Sequence, residues 1–307
     1  GEQKRMLVRD FTIKRVEEMR PAIQQLVDRL IDDMLAKGPT ADIVTDFAVP
    51  IPTMVICEIL GVPYEDQDFF KENTEVCMSS DRPAEEAVAA ANALSAYLDK
   101  LIDVKDANPQ NDLLSRLVID ELRTGKTTRK DVVEMARLVL IAGHDTTANM
   151  VALGTLALLT HPDQAAVMRS DLSRAELTLA VNELFRWVNV THTGRRRVAT
   201  EDVEVGGQLI RAGEGVIVMT SIADRDERVF AEADKLDLRR ANARTCMAFG
   251  AGDHRCMGAY LSQTEMEIAF ETLWKRIPAL TLAVPFETLR FREEGVVYGV
   301  HSLPVTW

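Results

Sequence analysis

Ten residues near the end of the chain, Phe249 to Gly258, read FGAGDHRCMG and set one thiol, Cys256, among three glycines. Glycine loses more backbone entropy on ordering than any other residue, so this density marks a turn of unusual geometry rather than a helix or strand. Directly after it Met257, Leu261, Met266, Ile268, Leu273 and Ile277 recur at roughly helical spacing until Pro278. Cys256 is therefore expected where a loop becomes a helix. The free amides and positive dipole end of a helix start favour an anion, which biases the thiol towards the metal-ligating thiolate. Phe249 would shield the sulfur from water, and Gly258 would leave a flat surface for a large planar group.

A solitary cysteine is commonly just a small buried hydrophobe. Zinc fits poorly: it takes several Cys or His ligands at short spacing, whereas Cys57, Cys77 and Cys246 lie in other settings and His254 is the only nearby imidazole. One thiolate beneath a glycine-flanked platform suits a haem iron. The decapeptide resembles the haem-ligand loop of the cytochrome P450 family, the haem-thiolate monooxygenases, and most closely that of its soluble bacterial branch. The resemblance implies Cys256 as the axial ligand of a haem b, with Phe249, Gly250, Gly252, His254 and Gly258 forming the loop around the cofactor.

The element that must face this loop is a long apolar helix, expected from Thr128 or Lys130 to Thr160 and interrupted by the polar run AGHDTTAN. Unpaired polar groups in a buried helix cost about 1 to 3 kcal/mol each, so His144, Asp145, Thr146 and Thr147 need partners. Ala142 and Thr146 share a helix face beside Gly143, and these small residues open a groove. The Thr146 hydroxyl can bond back to the Ala142 carbonyl or turn to a ligand; Asp145 projects to a different face. A kinked structural helix is the plainer reading. By resemblance, AGHDTT is the family's oxygen-binding segment, Ala142 lies at the haem, and Asp145 and Thr146 are the acid-alcohol pair that delivers protons.

Glu183 and Arg186 lie three apart on another helix, within salt-bridge reach. Most such pairs are solvated, but Leu184, Phe185 and Trp187 around them favour burial, which demands further hydrogen bonds. The family has an ExxR motif at this place, completed by an arginine before the cysteine loop; Arg240 is the best match and Arg239 stays open. Next, Val203 and Val205 alternate with charge before Gly206 and Gly207, Leu209 starts a return, and residues 216–219 form another strand, so a small antiparallel sheet is expected. The segment from Thr191 resembles the family's passage beneath the haem edge. It implies that Arg197 pairs with a propionate and Thr191 to Thr193 face substrate, while the cluster Arg195, Arg196 and Arg197 on its own reads as solvated. Cys246 stands where the family commonly places a propionate-binding His or Arg, and Lys4 is a partial match to an early basic pair.

With 307 residues, 47% hydrophobic and 27% charged, the chain can bury a large core. A net charge of -12 without a basic stripe argues against nucleic acid. No apolar run approaches the roughly 20 residues of a membrane span, and four cysteines without framework spacing suggest the cytoplasm. The helical pattern of residues 16–34 is under way close to residue 1, so the expectation is a single P450 domain over 1–307 lacking its N-terminal part, including the pocket roof. The fold is expected to be mainly α (α+β): the P450 fold, with a long central helix, a cysteine loop and a minor sheet. Its implied activity is oxygen insertion from O2 into a small apolar molecule, with electrons from NAD(P)H through ferredoxin reductase and ferredoxin. A haem-thiolate nitric oxide reductase is an alternative that Asp145 argues against; a non-catalytic haem protein or inactive fragment is one that Cys246 favours.

Overall fold

A computed structural model describes residues 2–78, 82–293 and 297–307. The opening periodicity is a helix, Ile13–Lys37, begun by the Thr12 hydroxyl accepting the Arg15 amide. It buries Val16, Met19, Ile23, Leu26, Val27, Ile31 and Met34 and packs on the helix that follows the cysteine loop, Ala259–Arg276. The helix Pro50–Leu60 has proline in its first turn and ends on Gly61, at φ 73°, whose amide reaches the Cys57 and Glu58 carbonyls. A Cβ on Gly61 would also sit 2.1 Å from Oδ2 of Asp112, which is paired with buried Lys105, so backbone and packing both require glycine here.

Helical spacing of apolar residues predicts helices over 64–76, 83–102 and 112–123; the first is a short 3-10 turn, Tyr64–Asp66, followed by Gln67–Met78, and the second extends over Ala84–Ala107. The third is a single α turn, Leu113–Leu117, running into a π turn, Val118–Leu122. The central helix spans Arg129–Thr160, about 48 Å at 1.5 Å per residue, and starts on a capping box between Thr128 and Asp131. It packs against Pro50–Leu60, Ala84–Ala107, Arg174–Val188 and Ala259–Arg276 and is the axis of the molecule.

Among the described residues the strands form three separate antiparallel sheets instead of one. Arg195–Val198 pairs with Gly215–Val218, and the hairpin Val203–Val205 to Gln208–Ile210 turns on Gly206 and Gly207 at φ 58° and 81°. Pro304–Thr306 lies between Thr40–Asp42 and Thr281–Leu282, tying the end of the chain to its first third. The first two sheets are largely exposed, and their strands are only three or four residues long.

The buried ion cluster explains how a long irregular segment reaches the cysteine loop in a fixed shape. Glu183 and Arg186 are both fully buried and bidentate, at 2.7 and 2.8 Å, and Arg240 adds a third contact to Glu183 at 3.0 Å. Arg239 is exposed, which settles the third member as Arg240. The arginines spend their remaining donors on backbone: Arg186 on the carbonyls of Asp224, Ala233 and Lys235, Arg240 on those of Ala231, Glu232 and Lys235. Glu183 also accepts the Asp237 amide at 3.0 Å. Removing one member of such a cluster strands the rest, and Glu183→Ala is expected to cost about 3 to 5 kcal/mol in denaturant unfolding. An unchanged melting transition would contradict it.

Candidate active site

A cavity of about 370 Å³ separates the central helix from the cysteine loop. The helix wall is Leu138, Val139, Ala142, Gly143, Thr146, Thr147 and Met150; Phe249, Cys256, Met257 and Gly258 face it. The small residues of the helix wall have two causes. A Cβ on Gly143 would lie 2.6 Å from the Ile56 side chain, so packing fixes the glycine, whereas Ala142 is exposed to the cavity. Thr146 donates its hydroxyl to the Ala142 carbonyl at 2.8 Å and keeps that oxygen's lone pairs for the cavity.

The cysteine loop is a series of tight backbone bonds. The Cys256 amide donates to the Phe249 carbonyl at 3.0 Å, and Gly250 and Gly252 take left-handed φ angles of 69°. Lys4 ties the loop from outside, donating to the carbonyls of Asp253 and Arg255. Phe249 meets Phe185 edge-on, with ring centroids 4.7 Å apart, which braces the loop against the Glu183 helix. Cys256 lies three residues ahead of Ala259–Arg276, as expected, but its thiol is not acidified. Burial pushes it up, outweighing the Gly258 backbone hydrogen bond and the charges of Arg255, Arg195 and Lys4.

Of the loop residues expected at the cofactor, Cys256, Phe249 and Gly258 line the cavity; Gly250, Gly252 and His254 do not. The nearest atom to a Cβ built on Gly258 is the Cys256 sulfur at 3.9 Å, so the floor beside the thiol is open and flat. Arg197 is exposed and donates to the Arg196 carbonyl, while Arg195 lines the cavity and bonds to Thr220 and the Ala248 carbonyl. Alternation puts both on one strand face, but only the first residue of Arg195–Val198 reaches the cavity edge. Thr191 lines the cavity and Thr193 does not. Cys246 is half-buried, and burial pushes its thiol up to about 11, so it carries no charge at neutral pH. A soft sulfur donor, a flat glycine floor, largely apolar walls and one arginine at the edge fit a haem.

Asp145 does not join Thr146 at the cavity. It is 7% exposed and turned to the other side of the helix, where its carboxylate accepts from Arg292 at 3.0 Å and Asn149 at 2.9 Å. Sequence reasoning missed Arg292, and it missed Glu265. Glu265 lines the cavity, is 2% exposed, and has one carboxyl oxygen without a hydrogen-bond partner among the described residues. The available signal was an acid between apolar neighbours on the inner face of the last helix.

Burial alone raises the Glu265 carboxyl from 4.5 to about 8. The folded protein thus holds this proton more tightly than the unfolded chain, so stability is complete below pH 4.5 and declines as pH rises towards 8. Glu265→Gln removes the titration while keeping the shape. Its unfolding free energy relative to the parent is expected to grow by on the order of a few kcal/mol between pH 5 and 8. Parallel stability curves for the two proteins would rule this out.

A profile of the family described as Cytochrome P450 matches residues 1–277. "Vitamin D3 dihydroxylase" of Streptomyces griseolus is 46% identical over 307 residues, 100% of this chain and 75% of that protein. The crystal structure of GfsF superposes with a TM-score of 0.97 at 42% identity, covering 100% of this chain and 77% of that one. Mycinamicin VIII C21 methyl hydroxylase MycCI of Micromonospora griseorubida, solved bound to mycinamicin VIII, gives 0.91 at 40% identity, covering 99% and 77%. Together with a lone cysteine facing an alcohol across an apolar cavity, these matches show that the chain belongs to the cytochrome P450 family of haem-thiolate monooxygenases.

Proposed function

We propose that this monooxygenase hydroxylates or epoxidises a small apolar organic molecule, using a haem b ligated by Cys256 and electrons from NAD(P)H passed through ferredoxin reductase and ferredoxin. The observation that carries the reading is the placement of Cys256 and Thr146 on opposite walls of one cavity. When bound, the haem supplies O2 activation, and its thiolate ligand favours O–O cleavage. The chain's own residues supply position and protons. Arg195, at the cavity edge, is suited to a propionate, a role for which Arg197 is too far out on its strand. Leu138, Val139, Ile56, Met150 and Val190 exclude water and favour an apolar substrate. The relatives' names, with vitamin D3 and mycinamicin VIII as their compounds, point the same way.

Thr146 holds a proton at its Oγ1, one turn from the Ala142 carbonyl, and Asp145 is the neighbouring acid that replenishes it. Ferredoxin reductase and ferredoxin are the electron-transfer partners in this reading, since these 307 residues carry no flavin or iron-sulfur motif of their own. All four cysteines are unpaired, which agrees with a cytoplasmic setting, and no helix of the described residues is long and apolar enough to cross a membrane.

The reading is tested by NADPH consumption with a surrogate ferredoxin pair. An apolar substrate should stimulate consumption and yield a product heavier by one oxygen; consumption that no such compound affects would overturn it. Thr146→Ala should keep haem and substrate binding but divert most reducing equivalents into released hydrogen peroxide. Unchanged coupling of NADPH to product would remove Thr146 from proton delivery.

A further inference from the structure

The central helix is a partition. Gly143, Thr146, Thr147 and Met150 line the large cavity, whereas His144, Asp145, Ala148, Asn149 and Ala152 line a smaller one, of about 150 Å³, on the opposite side. The far wall of this second cavity comes from Val44 and Val49 and from the C-terminal segment, through Arg292, Val300 and His301. That segment is pressed tightly onto the helix. A Cβ on Gly299 would lie 1.7 Å from the Asn149 side-chain oxygen, and the Gly299 carbonyl accepts the Arg292 amide at 2.8 Å, which fixes Arg292 beside Asp145.

His144 is the anomaly in this wall. It is 3% exposed, and neither ring nitrogen has a hydrogen-bond partner among the described residues. A neutral imidazole carries one donor and one acceptor, and burying both unmet is costly. A neighbouring cavity lined by a carboxylate, an amide, a guanidinium and a second imidazole is where water would satisfy them; at about 30 Å³ per molecule there is room for roughly five. Arg292 and His301 are only half-buried, so the rim meets solvent. The charged and titratable groups facing His144 there are Asp145, Arg292 and His301, and the segment bearing Val44 and Val49 adds none to the lining. Burial, reinforced by the Arg292 charge, lowers the His144 ring to about 4, so it is uncharged across the working range.

We propose that this cavity is a hydrated proton-uptake site in which His144 positions water between the Arg292–His301 rim and the Asp145 carboxylate. The inference rests on the monooxygenase reading, in which Asp145 and Thr146 relay protons. In the uptake step a water O–H breaks as the Asp145 O–H forms, and that water regains a proton from bulk solvent through the rim. The net change is one proton moved from solvent to Asp145. His144 keeps its own proton throughout and acts as a positioning residue.

The test uses the haem-loaded protein with His144→Leu, which removes both nitrogens, His144→Gln, which keeps a donor and an acceptor, and Asp145→Asn as the control. His144→Leu should leave the spectroscopic substrate Kd unchanged, lower kcat about 10- to 100-fold, and enlarge the solvent deuterium isotope effect; His144→Gln should restore most of the rate. An unchanged rate and isotope effect in His144→Leu, while Asp145→Asn is slow, would overturn the inference and leave the relay standing. If Asp145→Asn is also unaffected, the relay itself fails and takes the inference with it. High-resolution crystals of the parent should show ordered water within hydrogen-bond distance of a His144 ring nitrogen. A dry imidazole there would overturn the proposal however the variants fold.

Discussion

The structure depends on a buried ion cluster of one carboxylate and two guanidinium groups. Glu183 and Arg186 are fully buried, Arg240 is 8% exposed, and the fully buried Asp224 lies beside them, its backbone carbonyl accepting from Arg186. Burial of these charges is tolerable because nearly every polar atom is used: the arginines hold the carbonyls of residues 224–235, and Asp224 accepts the Met247 amide at 2.6 Å and the Asn189 amide at 3.0 Å. Met247 is two residues from Phe249, and its carbonyl accepts the Gly250 amide. The position of the cysteine loop is thus handed down from the ion cluster through Asp224, with Phe249 on Phe185 and Lys4 on the loop carbonyls as further braces. The Cys256 thiol is thus positioned by contacts that lie outside its own turn.

The central helix answers to the same constraint from above. Its polar insert is accommodated apart from His144: Thr146 bonds back to Ala142, Asn149 bonds back to the Asp145 carbonyl, and Asp145 pairs with Arg292. This sorting leaves the cavity side apolar apart from two threonines and collects the titratable groups behind the helix. The acid and the alcohol are adjacent in sequence yet face different compartments, so proton supply is kept apart from the space where an apolar substrate would lie. Glu265 is the exception, a carboxyl kept protonated by burial within the cavity wall.

Much of this was legible in the sequence because its causes are local. Helix periodicity, the extent of the central helix and the Gly206–Gly207 turn follow from residue types over a few positions, and the structure shows each. Glu183 with Arg186 is a weak pattern made informative by the apolar residues around it, and Arg240 completed it. What could not be read depends on where distant segments meet. That Arg195 lines the cavity and Arg197 does not depends on where the strand Arg195–Val198, paired with Gly215–Val218, meets the cavity edge. Arg292 reaches Asp145 only because the last residues fold back over the central helix. The π turns at Val44–Ala48 and Val118–Leu122 were missed because their sequences carry ordinary helical signals. At Cys256 desolvation, which a sequence does not display, outweighs the Gly258 backbone hydrogen bond and the nearby charges and pushes the thiol up.

A haem-thiolate site requires that Cys256, in the loop that the ion cluster holds, ligate the iron. The direct measurement is the absorption spectrum of the reduced protein under carbon monoxide. The strongly red-shifted Soret band of thiolate ligation is expected in the parent and should vanish in Cys256→Ala. A parent band of the imidazole-ligated type, or a thiolate band that survives the substitution, would contradict it.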